Sequence, residues 1–297
     1  MALEDYTTLS LILKIFTSFS IITSIIDVFL YWFFPQNRNF SFTNIIILSI
    51  INFIYSVSTL LPVDLSLKQP ENTTMCQIQS FIANCSHCAQ YLQVSIMIYC
   101  VFIKLIAHNH LEKNGGIYRL LFTLLLISFP LAFSIYIIMT KSHGNGGVFC
   151  WIDIYTIYKR AHIKKVIMNY YIIIWFLLFI NLFFVVKIKV MMKKNRIKNE
   201  IYDHLILYPI ILIFCSIPGT FNVIYRLLNN NKEIEFMIFM KVIFESCFGT
   251  AINIYFIASP WIKQSILDII KNRNIDDDNS NLMPILDNNR NSFGEEK

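Results

Sequence analysis

Two pairs of side chains stand out against a long apolar background, where charge is expensive and is kept for a purpose. Lys241 and Glu245 lie four residues apart, one helical turn, and Asn222 and Arg226 repeat that spacing. Arg226 and Lys241 together offer the donors that bind a phosphate or a carboxylate, with Glu245 as their counter-ion at rest. The plainer alternatives are a local Lys241–Glu245 pair and an Arg226 that snorkels to a polar boundary. A third group, Ser80, Asn84, His87 and Tyr91, falls within one narrow arc at helical spacing. It would either line a ligand cavity or hydrogen-bond a central helix to its neighbours. Asp27, Asn52 and Asn253 make a further polar set, expected to be a buried cluster that repacks in a conformational switch. Pro218-Gly219 would supply a kink or hinge. Cys85-Ser86-His87-Cys88 looks like a metal or redox motif, yet no second ligand pair accompanies it, so packing is the reading. No metal and no cofactor is expected. Nor does any catalytic constellation face water, so enzymatic activity is not expected.

These residues need elements to hold them. The chain has 297 residues, 56% of them hydrophobic and only 15% charged, whereas soluble domains carry about a quarter charged. The apolar residues come in runs broken by short polar clusters, which one water-soluble core cannot bury. Runs of about 20 apolar residues cross a bilayer as helices, and seven are expected, over 9–34, 42–61, 78–106, 118–139, 166–190, 205–228 and 235–257. The fold class is therefore an all-α membrane protein, a seven-transmembrane helix bundle with a short amphipathic helix after the last span. Residues 1–8 would be a short extracellular N-terminus, 9–257 the bundle, 259–271 the interfacial helix and 272–297 a disordered cytoplasmic tail. The N-terminal stretch holds Glu4 and Asp5 but no basic residue, so the first span reads as a retained signal anchor with no ectodomain before it.

Lys and Arg in the short loops set the orientation. With the N-terminus outside, the inner face collects Arg38, Lys104, Lys113, Arg119, a dense run from Lys187 to Lys198, and Lys263, Lys271 and Arg273. The group Lys141, Lys159, Arg160, Lys164 and Lys165 in the fourth-to-fifth connection runs against the rule, and would suit a vestibule that attracts anions. The net charge of +6 is spread beside apolar segments, which points to membrane orientation and anionic lipid, not to nucleic acid. Asn72-Thr73-Thr74 is a glycosylation acceptor on the outer side. Of seven cysteines, only Cys76 and Cys150 fall on the oxidising side. A bridge between them would pin the long outer loop over the bundle mouth and contribute about 4 kcal/mol.

Seven spans with the N-terminus outside, Cys76 at the top of the third, and Cys150-Trp151-Ile152 in the second outer loop together resemble a G-protein-coupled receptor. More narrowly, the chain resembles the cyclic-AMP receptor and cyclic-AMP-receptor-like family of social amoebae. Its sixth span, Leu207-Tyr208-Pro209-Ile210 through Cys215-Ser216-Ile217-Pro218-Gly219-Thr220 to Asn222 and Ile224-Tyr225-Arg226, is similar to that family's sixth helix. The likeness covers roughly 9–270. It implies a plasma-membrane receptor that senses an extracellular small ligand and signals through a heterotrimeric G protein, contacted by Lys104, Lys193, Lys194 and Arg196. The third span ends Tyr99-Cys100-Val101 without Asp-Arg-Tyr, and the seventh reads Asn253-Ile254-Tyr255-Phe256 without Asn-Pro-x-x-Tyr. Both departures set the chain apart from rhodopsin-like receptors, and imply a cyclic-AMP-receptor-like orphan more than a true cyclic-AMP receptor. Two rival functions are a retinal photoreceptor, with Lys241 as Schiff base, and a transporter or channel. The third span lacks a carboxylate counter-ion for the first, and no internal repeat supports the second.

Overall fold

The computed structural model describes residues 3–34, 40–62, 73–106, 110–146, 148–153, 161–194, 200–229, 235–259, 262–264 and 267. Its elements, in chain order, are α1 (Leu3–Phe33), α2 (Phe40–Leu60), α3 (Thr74–Ile106), α4 (His110–Met139), β1 (His143–Asn145), β2 (Cys150–Ile152), α5 (Ala161–Lys194), α6 (Glu200–Leu228) and α7 (Glu235–Ile257). All seven helices are long and apolar enough to cross a membrane. The chain is a multi-pass membrane protein built as a seven-helix bundle. It divides into two units, Met1–Phe256 and Ile257–Lys297. Asn72, Arg196, the tail at 272–297 and most of the helix expected over 259–271 lie outside the described residues. In the second unit, the Ser259 hydroxyl accepts from the Ile262 N–H at 3.5 Å and its carbonyl from the Lys263 N–H at 3.2 Å.

The bundle is inverted relative to a soluble one. On α1, Phe19, Ile22, Ile25 and Phe29 face outward while Thr17, Ser20, Ser24 and Asp27 are buried. Water would reject that arrangement, and hydrocarbon favours it, because lipid solvates the apolar face and polar groups must satisfy one another inside. The same logic ranks the helices. In α3, 67% of the most apolar stretch is buried, against 17% in α4. α3 packs against α2, α4, α5, α6 and both strands, and as the surrounded helix it affords Gln79, Ser80, Asn84, Ser86, His87, Gln90 and Gln93, all buried. α4 looks mostly outward and has no comparable polar series.

The two strands were not foreseen as an element of this all-α design. β1 and β2 pair antiparallel with Gly144 opposite Trp151 and Asn145 opposite Cys150. The Asn145-Gly146-Gly147 cluster is the hairpin signal in the sequence. α4 delivers the chain into β1 through a Schellman cap: the Lys141 N–H bonds Ile138 O at 2.9 Å and the Ser142 N–H bonds Ile137 O at 3.0 Å, with Lys141 at φ 51°. The hairpin is then docked on α3 at three points. Cys76 and Cys150 are disulfide-bonded, with Cα atoms 5.3 Å apart. Gln79 Oε1 accepts from the Cys150 N–H at 2.7 Å, and the Ser80 hydroxyl donates to Trp151 O at 3.0 Å. The Gln79 amide nitrogen also donates to Ser58 O and Leu61 O at 3.0 and 3.1 Å, satisfying carbonyls that the end of α2 leaves open.

Candidate functional site

Beneath the hairpin, α3, α5, α6 and α7 bring together the charged and aromatic residues singled out above. The Lys241 ammonium lies 4.5 Å from the centroid of the Trp151 ring, a cation–π contact with the hairpin itself. Arg226 and Glu245 both lie within electrostatic reach of Lys241. Arg226 is 1% exposed and Lys241 5%, so two buried cations share this space with the half-buried carboxylate of Glu245. Gly219 makes this possible. A methyl group built on it would come within 2.8 Å of Glu245 Oε1 and 3.5 Å of Lys241 Cγ. The position expected to act as a hinge is thus where α7 seats its charged side chains on α6, and α6 runs unbroken through Pro209 and Pro218. Asn222 is buried on the same helix, and its Oδ1 has no hydrogen-bond partner among the described residues.

The arc on α3 splits into two roles. Ser80 and Asn84 serve the scaffold: the Asn84 amide nitrogen donates to Ser80 O at 2.7 Å and to the Ser80 hydroxyl at 3.1 Å, while Ser80 holds the hairpin. His87 and Tyr91 face the charged cluster. His87 Nδ1 shares a hydrogen bond with the Tyr170 hydroxyl. Its ring packs on Tyr55 at 5.5 Å, Tyr91 at 5.0 Å, Trp151 at 6.2 Å and Tyr170 at 6.1 Å between centroids. The Tyr91 hydroxyl pairs with Ser216 on α6 at 2.7 Å. His87, Gln90, Tyr91, Leu212, Cys215, Glu245 and Phe248 enclose a void with room for about one water molecule. Rather than an open, outward cavity over the α3 arc, the hairpin lies on it and the space below is small.

A second polar centre lies about 18 Å further along α7, twelve residues beyond Lys241 at the helical rise. Asp27 on α1 and Asn253 on α7 meet there through Ser49 on α2. The Ser49 hydroxyl lies 2.8 Å from Asp27 Oδ2 and 3.2 Å from Asn253 Oδ1. The Asn253 amide nitrogen donates to Ser24 Oγ at 2.8 Å and Thr23 Oγ1 at 3.1 Å on α1. Asn52 differs from expectation: its Oδ1 accepts from Gln90 on α3 at 2.8 Å, so it ties α2 to α3 instead of joining Asp27. Ser49, Thr23 and Ser24 were missed as members of this centre. Their signal is spacing, since Ser20, Thr23, Ser24 and Asp27 recur at i, i+3, i+4 and i+7, and Ser49, Asn52 and Ser56 at i, i+3 and i+7.

Lys104 closes α3, and Lys193 and Lys194 close α5, at the end of the bundle away from the hairpin; all three are exposed. Cys85, Cys88, Cys100, Cys215 and Cys247 are free thiols within helices. Among the described residues, no group of three His, Cys, Asp or Glu side chains is placed to hold a metal ion. Against known proteins, the chain matches no protein-family model and no curated sequence.

Proposed function

We propose that this chain is a seven-transmembrane G-protein-coupled receptor, resembling the cyclic-AMP-receptor-like family, with the hairpin end outside the cell at the plasma membrane. It senses a small anionic ligand and signals through a heterotrimeric G protein. The observation that carries the reading is the pair of buried cations, Arg226 and Lys241, beside the half-buried Glu245 beneath a disulfide-tethered hairpin. Two cations inside a bundle are costly unless they serve recognition. An anionic ligand would replace Glu245 and the Trp151 ring as partners of Lys241, loosening the contact between α6 and α7 that Gly219 allows. Receptor activation is then a population shift between two packings, favoured by ligand at the hairpin end and by G protein at the end carrying Lys104, Lys193 and Lys194.

The test is a G-protein activation screen in cells expressing the chain, with cyclic nucleotides first and other phosphates and carboxylates after. Once an agonist is found, alanine at Arg226, Lys241 or Glu245 lowers its potency roughly 10- to 100-fold, the loss expected for a hydrogen bond to a charged group. Surface expression stays unchanged. Unaltered potency in all three variants would discard the site. Adding retinal produces no visible absorbance band, which separates this reading from a photoreceptor built on Lys241.

A further inference from the structure

We propose that the ligand taken beneath the hairpin carries an ammonium group beside its negative charge, as an aminodicarboxylate or an aminoalkyl phosphate does. The inference rests on the anion-receptor reading above and names the chemical class that this reading leaves open. Two positive charges, on Arg226 and Lys241, face one negative charge on Glu245. At rest the Lys241 ammonium lies within electrostatic reach of Glu245 and 4.5 Å from the centroid of the Trp151 ring. An anion that draws Lys241 to itself takes this cation from both. A simple anion would then leave the Glu245 carboxylate beside a second negative group, inside a bundle where uncompensated charge is costly. A ligand with its own ammonium completes the exchange. Its negative groups go to Arg226 and Lys241, and its cation takes the place of Lys241 at Glu245. With two negative charges and one positive, such a ligand also brings the total charge of these three residues and itself to zero.

Asn222 points the same way independently. It is 1% exposed, and its Oδ1 has no hydrogen-bond partner among the described residues. It stands three residues after Gly219 and four before Arg226, so all three share one face of α6. On that face Glu245 Oε1 lies 2.8 Å from where a methyl group on Gly219 would stand. Asn222 follows about 5 Å further along the helix. An acceptor that lacks a donor thus neighbours a carboxylate whose cation the ligand removes. An ammonium has three N–H donors and no acceptor, which suits both groups. A phosphate or carboxylate would instead set oxygen against Asn222 Oδ1. The face of Trp151 that Lys241 leaves also favours a cation. The void at rest holds about one water molecule, so the ligand occupies the room that Lys241 and Trp151 give up.

The test is thermal unfolding of the full chain in detergent micelles with two pairs of probes. L-glutamate is compared with glutarate, and O-phosphoethanolamine with ethyl phosphate; each pair differs by the amine alone. The amino-bearing member raises the melting temperature at concentrations roughly 10- to 100-fold lower than its partner, the gain expected of hydrogen bonds to a charged group. The stronger of the two pairs tells carboxylate from phosphate as the anion. Glu245→Gln and Asn222→Leu each narrow the gap within the pairs, and the wild-type gap decides alone where a variant does not fold. Equal effect of the two members in both pairs, or a gap that persists undiminished in both variants, overturns this inference and leaves the anion reading standing. No rise in melting temperature with any of the four probes overturns both.

Discussion

The two polar centres of this bundle are held by different means. Beneath the hairpin, a full charge meets an aromatic cluster: Lys241 lies against Trp151, Trp151 meets Tyr170 edge-on, and His87 stacks on both Tyr55 and Tyr170. Around Asp27, a single carboxyl group is surrounded by short hydroxyls and amides on α1, α2 and α7. Large rings leave gaps when they move, and the hairpin that supplies one of them is a separate, covalently tethered piece. Short hydroxyls bonded to neighbouring helices pack tightly and leave little to displace. The first arrangement fits recognition of something large enough to push a ring aside, the second a rigid tie between α1, α2 and α7.

Variants at the hairpin end strike the first centre and leave the second in place. The largest effect is expected from Cys150→Ser, which frees the hairpin from α3 and removes about 4 kcal/mol of stabilisation by the loop-closure model. Chemical denaturation measures that loss, and agonist response should fall with it. Gly219→Val comes next. Its side chain meets Glu245 Oε1, which a first methyl already approaches to 2.8 Å, and overpacking of this kind costs about 1–3 kcal/mol. Agonist potency drops with it. Gly116→Ala is the matched control. Nothing lies within 4 Å of a methyl placed there, so unfolding free energy changes by less than about 1 kcal/mol and signalling is unaffected.

The bundle was legible in the sequence because lipid imposes a length and an apolar composition on each span, and both survive without knowledge of packing. Cys76 and Cys150 were legible through position, since Cys76 opens the third span and Cys150 lies in the connection after the fourth, whereas the other five cysteines fall deeper within helices. Lys241, Glu245 and Arg226 stood out because charge in an apolar run is conspicuous by type alone. The Asp27 centre was only half legible. Ser49, Thr23 and Ser24 are common in membrane helices, where their hydroxyls often bond their own backbone, as Thr23 does to Phe19 O at 2.9 Å. Only the inter-helix register makes them members of a site, and register is not written in any one span. Asn52 shows the same limit from the other side. It lies one turn from Ser49, yet its rotation on α2 points it to Gln90. The role of Gly219 was invisible for a related reason, because a missing side chain reveals its use only when the neighbouring helix is in place.

Everything assigned to the hairpin end depends on that end facing the outside of the cell. Epitope tags placed before Met1 and after Lys297, probed with antibody on intact and then permeabilised cells, measure this directly. The N-terminal tag is expected to be labelled on intact cells and the C-terminal tag only after permeabilisation. Labelling of the C-terminal tag on intact cells would contradict it.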